Sequence, residues 1–233
     1  MLEPISESLE EFRIAIVGAL SPLLSKHGFA WIGPIRERML YQTSGGEFFR
    51  EIAGGWQSID LVLRTYGTYE VQFYLSVSAR IDEFDKLWMT KVLERPDEID
   101  KTLATVRIHL GTYLYQWNLP TTENYPAPLR TPQRAEKNDI SFYANRADEA
   151  RGIIRNYVIE PLECTLLPLV LRCESAADLH EVGKINPYFS LQNKAQKLTL
   201  AYLAQDQEAI RLLVDENCNK GIKVFDKAVS SLK

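Results

Sequence analysis

The stretch Tyr69-Glu70-Val71-Gln72-Phe73-Tyr74-Leu75-Ser76-Val77-Ser78-Ala79 decides the fold class. Tyr69, Val71, Phe73, Leu75, Val77 and Ala79 project one way and Glu70, Gln72, Tyr74, Ser76 and Ser78 the other, the period of two that marks a strand with one apolar and one polar face. Residues 56–64 alternate in the same manner, Ile59, Leu61 and Leu63 standing against Ser58, Asp60, Val62 and Arg64. Turn chemistry punctuates this part of the chain at Thr43-Ser44-Gly45-Gly46, Ala53-Gly54-Gly55 and Thr65-Tyr66-Gly67-Thr68, which read as hairpin loops whose glycine pairs supply positive φ. With runs at 35–42 and 47–52, the pattern predicts an antiparallel meander of about four strands. Residues 103–117 offer a fifth through Val106, Ile108 and Leu110. A helix competes there, since Ile99, Leu103, Val106 and Leu110 also fit helical spacing.

Upstream of the meander, Leu9, Phe12, Ile16, Leu20, Leu23 and Leu24 recur at helical spacing, with Ser6 or Ser8 as N-cap and Gly28 beyond the last turn. Pro22 deprives the Gly18 carbonyl of its donor and predicts a kink. Downstream, Pro120, Pro126, Pro128 and Pro132 make residues 120–138 a connector that neither helix nor central strand tolerates. Everything beyond it reads as helical. Segments are expected at 147–160 behind Asn145, 162–172 interrupted by Pro168, 176–182 behind Ser175, 191–203 behind Ser190, 207–217 and 222–232. Residues 198–213 have the look of one tetratricopeptide-type helix pair, but such arrays need three or more copies, and an ordinary αα-hairpin is the commoner arrangement. The fold class expected is α+β. Residues 1–119 form helix plus antiparallel sheet, and residues 139–233 form a helical region that packs on the sheet as one domain or stands apart.

The 233 residues, 45% hydrophobic and 25% charged, have the composition of an ordinary globular protein. Lys and Arg number 27 against 31 Asp and Glu, a net charge of −4 with no long run of one sign, which weighs against nucleic acid as a partner. Cys164, Cys173 and Cys218 are odd in number, widely spaced and without a C-x-x-C, so neither a disulfide framework nor a zinc knuckle is indicated and a reducing cytoplasm is the expected location. The acidic start, with Glu3, Glu7, Glu10 and Glu11, is the opposite of a signal peptide, and the apolar run 14–24 is too short to span a bilayer, so no membrane association is expected.

Motifs for chemistry are missing. His27, His109 and His180 have no metal-ligand spacing, and His180-Glu181 does not continue into H-E-x-x-H, so no metal is expected. His27 reads instead as a cation facing a helix C-terminus. No phosphate loop, dinucleotide fingerprint or nucleophile elbow is present, and no cofactor is implied. Cys173, between Arg172 and Glu174, reads as a semi-buried helix thiol. What remains is the polar sheet face, on which Arg36, Arg38, Gln42, Trp56, Ser58, Asp60, Arg64, Gln72, Tyr74 and Ser76 fall together, joined by Arg107 and His109 if the fifth strand forms. Arginine among Trp and Tyr is the palette of recognition surfaces. A solvated face, or one packed on the C-terminal helices with arginines paired to carboxylates, is the commoner use of such a pattern. The candidate binding residues are Arg36, Arg38, Trp56, Asp60, Arg64, Tyr74, Arg107 and His109.

The layout also resembles a bacterial family described only as a domain of unknown function. The residues that carry the likeness are Lys26-His27-Gly28-Phe29 at the end of the first helix, Gly54-Gly55-Trp56-Gln57-Ser58-Ile59-Asp60-Leu61, and Arg107-Ile108-His109-Leu110-Gly111 leading to Trp117. Bacterial families of this plan include immunity and accessory proteins of toxin systems, which implies a non-catalytic role and carries over no catalytic residues. The leading expectation is a cytoplasmic, non-enzymatic module that binds another protein. The alternative is an enzyme or sensor that binds a small anionic ligand between sheet and helices through Arg36, Arg38, Asp60, Tyr74 and His109. The oligomeric state is left open.

Overall fold

The computed structural model describes residues 7–33, 44–66, 70–100, 103–110, 129–130, 141–186, 191, 193–217 and 222–232. It is an α+β fold, with an N-terminal helix, an antiparallel sheet in meander order and a helical C-terminal half. The described chain divides into two compact units. The first comprises residues 1–50, 58–77 and 108–168, and the second 51–57, 78–107 and 169–233, so the 120–138 connector falls within the first.

Helix α1, Leu9–Lys26, begins at a capping box in which the Ser8 hydroxyl accepts from the Glu11 amide while the Glu11 carboxylate accepts from Ser8 N–H. That backbone N–H, with the Ser8 hydroxyl, holds the Glu11 carboxyl below its usual pKa. The apolar stripe is buried as its spacing predicts, through Phe12, Ala15, Ile16, Ala19, Leu20, Leu23 and Leu24, each such large side chain contributing about 1.5–3 kcal/mol. Pro22 sits inside the helix without ending it, and the hydroxyl of Ser21 donates to the Val17 carbonyl one turn back. His27 is the C-cap, and Gly28 follows at φ +80°.

The sheet runs β1-β2-β3-β4-β7-β6, with β5 also paired to β4. Its strands are β1 (Ala30–Trp31), β2 (Ser44–Ile52), β3 (Gly55–Tyr66), β4 (Glu70–Ile81), β5 (Val106–His109), β6 (Leu129–Arg130) and β7 (Ser141–Ala144). The expected strands at 47–52, 56–64 and 69–79 are thus present, each somewhat longer, and the fifth strand forms in place of the competing helix. The expected strand at 35–42 lies outside the described residues. Two expectations are corrected. The connector contributes β6 at the end of the strand order, where its prolines are tolerated, but the first element after it is β7 rather than a helix; Val71, Gln72 and Phe73 of β4 face Ala144, Tyr143 and Phe142 of β7, with the Phe73 and Phe142 rings stacked at 5.4 Å. Gly45 and Gly46 lie within β2 and have no positive φ. Glycine is needed there for close approach: a Cβ on Gly45 would meet the Leu61 carbonyl oxygen at 2.2 Å, and one on Gly46 the Trp31 ring at 2.5 Å.

The polar face of the central strands is only partly wet. Ser58, Gln72 and Ser76 in the first unit are buried, as are Ser78 and Arg80 in the second; Gln57, also buried, alternates with Ser58 along β3. Burial of this kind requires that the polar groups find hydrogen-bond partners, and they do so.

A helical run over residues 147–172 starts as α3 (Ala147–Ile153). It opens into π turns at Ile154–Val158 and Leu162–Leu166, separated by the short α4 (Ile159–Pro161), and closes as α5 (Leu167–Arg172). Each π turn lies just before a proline. Pro161 and Pro168 have no N–H for the carbonyls of Tyr157 and Cys164, and wide bonds from Ile159 N–H to Ile154 and from Leu167 N–H to Leu162 replace the regular ladder. Asn145 is not the N-cap of α3. The cap position is Arg146, and the Glu7 carboxylate accepts from Ala147 N–H at 2.5 Å, tying the start of α3 to the residues ahead of α1, which packs along it.

In the second unit β4 leads into α2 (Asp82–Leu87), continued by a π turn at Trp88–Val92. Helices α6 (Ala176–Ile185), α7 (Lys194–Leu203), α8 (Gln207–Asn217) and α9 (Lys223–Ser231) follow. Ser175 caps α6 as expected, whereas α7 is capped by Asn193 and begins later than the expected residue 191. Helix α9 buries Phe225 and Ala228 and packs on α7 and the Trp88–Val92 turn.

Candidate functional site

Six of the eight candidate binding residues are described. Arg36 and Arg38 lie outside the described residues, Trp56 and Arg107 belong to the second unit, and Asp60, Arg64, Tyr74 and His109 to the first.

In the first unit the cross-strand partners are legible from the side chains. The Asp60 carboxylate accepts from Ser58 Oγ at 2.8 Å and from Ser76 Oγ at 3.3 Å. Arg64 Nε donates to the Gln72 amide oxygen, and Gln72 Nε2 donates to the Tyr143 hydroxyl at 2.9 Å, a chain that crosses β3, β4 and β7. The Tyr74 and His109 rings meet edge to face at 5.4 Å. Arg64 is exposed; Asp60, Tyr74 and His109 are half-buried. In the second unit Trp56 is only 7% exposed, and the exposed Arg107 donates through Nε to Ser78 Oγ at 3.1 Å. Trp56, Asp60, Tyr74, Arg107 and His109 have further interactions within the fold. The arrangement is a bonded polar layer rather than an array of open donors.

Three features of the second unit were not read from the sequence as sites. The first is Gln57, fully buried, whose Nε2 donates to the carbonyls of Val170 at 2.7 Å and Cys173 at 3.0 Å, closing the end of α5. Cys173 beside it is buried, and that burial, reinforced by the Asp178 charge, pushes its thiol up to about 12. The thiol is therefore inert as a nucleophile.

The second feature is the buried Arg80, whose guanidinium meets Asp82, Asp85 and the carbonyls of Asp100 and Leu103. A strand position between Ala79 and Ile81 gives no sequence signal for such a node.

The third is a cluster on α6 and at the start of α8. Asp206 caps α8 by accepting from Ala209 N–H at 2.9 Å, and its other oxygen receives His180 Nε2 at 3.0 Å and Lys184 Nζ at 2.6 Å. The Ala209 amide, then Lys184 and His180, hold the Asp206 carboxyl well below the usual carboxylate range, and Asp206 with Glu181 pushes Lys184 up to about 12. His180, Glu181 and Asp206 each bring a ligand atom within 4.8 Å of the others. The Lys184 ammonium, also 2.8 Å from Glu181, supplies the cation there, so the cluster works as a clip between helices. Asp206 immediately ahead of a helical stretch was the available signal.

No family model, curated protein or solved structure matches this chain. The reading of function therefore rests on the molecule itself. Among the described residues, no helix is long and apolar enough to cross a membrane. Among the described residues, apolar side chains lie open at α7 and α8. Helix α8 carries Ala209, Ile210, Leu212, Leu213 and Val214, yet the only residue it buries is Asn217. Leu212 is 46% exposed and Tyr202, at the end of α7, 44%.

Proposed function

We propose that this chain is a non-enzymatic protein-binding module of the bacterial cytoplasm, in line with its resemblance to immunity and accessory families, and that the α7–α8 hairpin is the surface that binds. The observation that carries this reading is α8 itself. Five apolar residues on an amphipathic helix are left short of full burial, Ala209, Ile210, Leu213 and Val214 half-buried and Leu212 exposed, an arrangement that a partner helix would complete. The occupant that fits is an amphipathic helix of another protein with a basic flank, because the charged residues exposed along α8 are Glu208, Asp215 and Glu216 against a single Arg211, which pairs with Asp215 at 3.6 Å. The sheet residues support the same choice, since their polar groups are engaged with one another. A small anionic ligand ranks second because the half-buried carboxylate of Asp60 stands in that row and both neighbouring hydroxyls already donate to it.

The test is capture of the tagged chain from its native lysate beside a Tyr202→Ala/Leu212→Asp variant whose circular dichroism matches the parent. A stoichiometric partner kept by the parent and lost by the variant supports the assignment. Identical partner sets for the two proteins would sink it.

A further inference from the structure

Among the described residues, one group of side chains has the donor set of a metal site, and it joins two helices of the second unit. His180 and Lys184 stand one turn apart and so share a face of α6. Asp206, just ahead of α8, meets that face: Oδ2 lies 3.0 Å from His180 Nε2 and 2.6 Å from Lys184 Nζ, while Oδ1 accepts from Ala209 N–H at 2.9 Å. Glu181 adds a second carboxylate, Oε1 lying 2.8 Å from Nζ. The members differ in freedom. The side chains of His180 and Asp206 are 11% and 20% exposed, and the Ala209 amide fixes the second oxygen of Asp206, so these two are preorganised. Lys184 and Glu181 are 47% and 55% exposed and can swing without disturbing a core.

We propose that His180, Glu181 and Asp206 bind a divalent zinc-like ion, and that Lys184 is a counter-cation which the metal displaces. Zinc bonds to imidazole nitrogen and carboxylate oxygen are about 2.0–2.2 Å long, which sets neighbouring donors about 3–3.5 Å apart. His180 and Asp206 already hold that separation, and all three donors lie within 4.8 Å of one another, a gap that rotation of the exposed Glu181 closes. Charge points the same way. Two carboxylates share one ammonium, so with a neutral imidazole the four groups carry a net negative charge, whereas a divalent ion in place of the ammonium neutralises its three ligands. The imidazole separates this set from an acidic surface patch and selects zinc over magnesium or calcium, which take oxygen ligands. Binding requires no net proton release: the ring proton of His180 moves to Nδ1, Nε2 gives its lone pair to the metal, and the Lys184 ammonium leaves for solvent still charged. The two inner ligands are 26 positions apart, so the sequence shows no metal-ligand spacing. A bound ion pins the start of α8 to α6, and the site does not depend on what α7 and α8 bind.

The experiment is calorimetric titration of Zn²⁺ into the chelator-treated, desalted full chain, beside Lys184→Met, His180→Ala and the double variant. The parent is expected to take up one Zn²⁺ per chain. Lys184→Met should tighten that binding by about three- to tenfold, because the metal no longer has to break two exposed ion pairs. His180→Ala should weaken it by at least about 100-fold in either background, the upper end of what losing even an outer hydrogen-bond partner of a ligand costs. No stoichiometric uptake by the parent, uptake that survives His180→Ala, or no gain in Lys184→Met overturns the proposal. Should His180→Ala fail to fold, Co²⁺ added to the parent decides by paramagnetic broadening of amide resonances. Broadening centred on residues 180–184 and 206–209 supports the site, and broadening centred on Cys164 or the other histidines refutes it.

Discussion

Replacing Gln57 by leucine is expected to loosen the end of α5 without leaving a void. The amide nitrogen makes two buried hydrogen bonds, to the carbonyls of Val170 and Cys173. The Val170 carbonyl retains a second donor, the Cys173 N–H at 3.0 Å, whereas the Cys173 carbonyl loses the Gln57 donor. Two hydrogen bonds at a net 0.5–1.5 kcal/mol each, with one carbonyl left buried and underbonded, give a cost of about 2–4 kcal/mol. Leucine fills nearly the same volume, so a cavity adds little. Cys173 supplies a local reporter, being buried at the same spot with a thiol unreactive in the closed state. In a Cys164→Ser/Cys218→Ser background, labelling of Cys173 by a disulfide reagent measures opening of this region directly. At about 1.4 kcal/mol per tenfold, Gln57→Leu should speed labelling between about 30-fold and about 700-fold. Gln57→Glu should do at least as much, because it sets a carboxylate against two carbonyl oxygens. A labelling rate within threefold of the parent would show that the two hydrogen bonds do not hold the helix end.

Four further outcomes are expected. Gly18→Ala, in the interior of α1 with open space at the new Cβ, should stabilise the chain by about 0.5–1 kcal/mol in urea unfolding, while Gly45→Ala, aimed at the Leu61 carbonyl, should destabilise it by more than about 2 kcal/mol. Asp206→Ala removes the cap of α8 and should cost about 1–2 kcal/mol, read as faster amide exchange over residues 207–217; Asp206→Asn, which still caps, should cost less. Because the folded Asp206 carboxyl is held low, its contribution is present above its unfolded value near 3.9 and is lost as the pH falls through the lower folded value, so the parent's protection of α8 should decline in acid and that of Asp206→Asn should not. Glu7→Ala should cost about 1 kcal/mol through the uncapped start of α3, detectable as exchange at Ala147 and Asp148.

The parts of this fold that a reader of the sequence can recover are those whose pattern is local. Strand β4 alternates over twelve residues and α8 begins at Gln207 and ends at Asn217, as its periodicity requires. What stays hidden depends on distant partners. Strand β7 has only four residues, all buried, so no alternation betrays it, and its place beside β4 is fixed by pairing with residues some seventy positions earlier. The polar row of β3 and β4 was legible as a face but not as a buried one, because a serine or glutamine that bonds a cross-strand neighbour looks in sequence like one that bonds water. The Gly45-Gly46 pair carries the same ambiguity, since a turn and a close strand approach both select glycine. For the candidate site, the arginines and aromatics were visible as residue types, and their distribution between two units was not. The apolar content of α8 was legible too, but whether a neighbour covers it is a property of packing alone.

The two π turns set a counting rule for the helical run they interrupt. Its buried residues Ala150, Ile154, Val158, Leu162 and Leu166 recur every four positions. In a regular α-helix, at 3.6 residues per turn, a count of four advances about 40° beyond a full circle, and four such steps would swing the stripe about 160°, almost to the opposite side. The wide turns ahead of Pro161 and Pro168 absorb that drift and keep the stripe on one side. Substituting either proline would therefore do more than add a hydrogen bond. By allowing the helix to rewind, it would turn every downstream side chain away from the face it now buries.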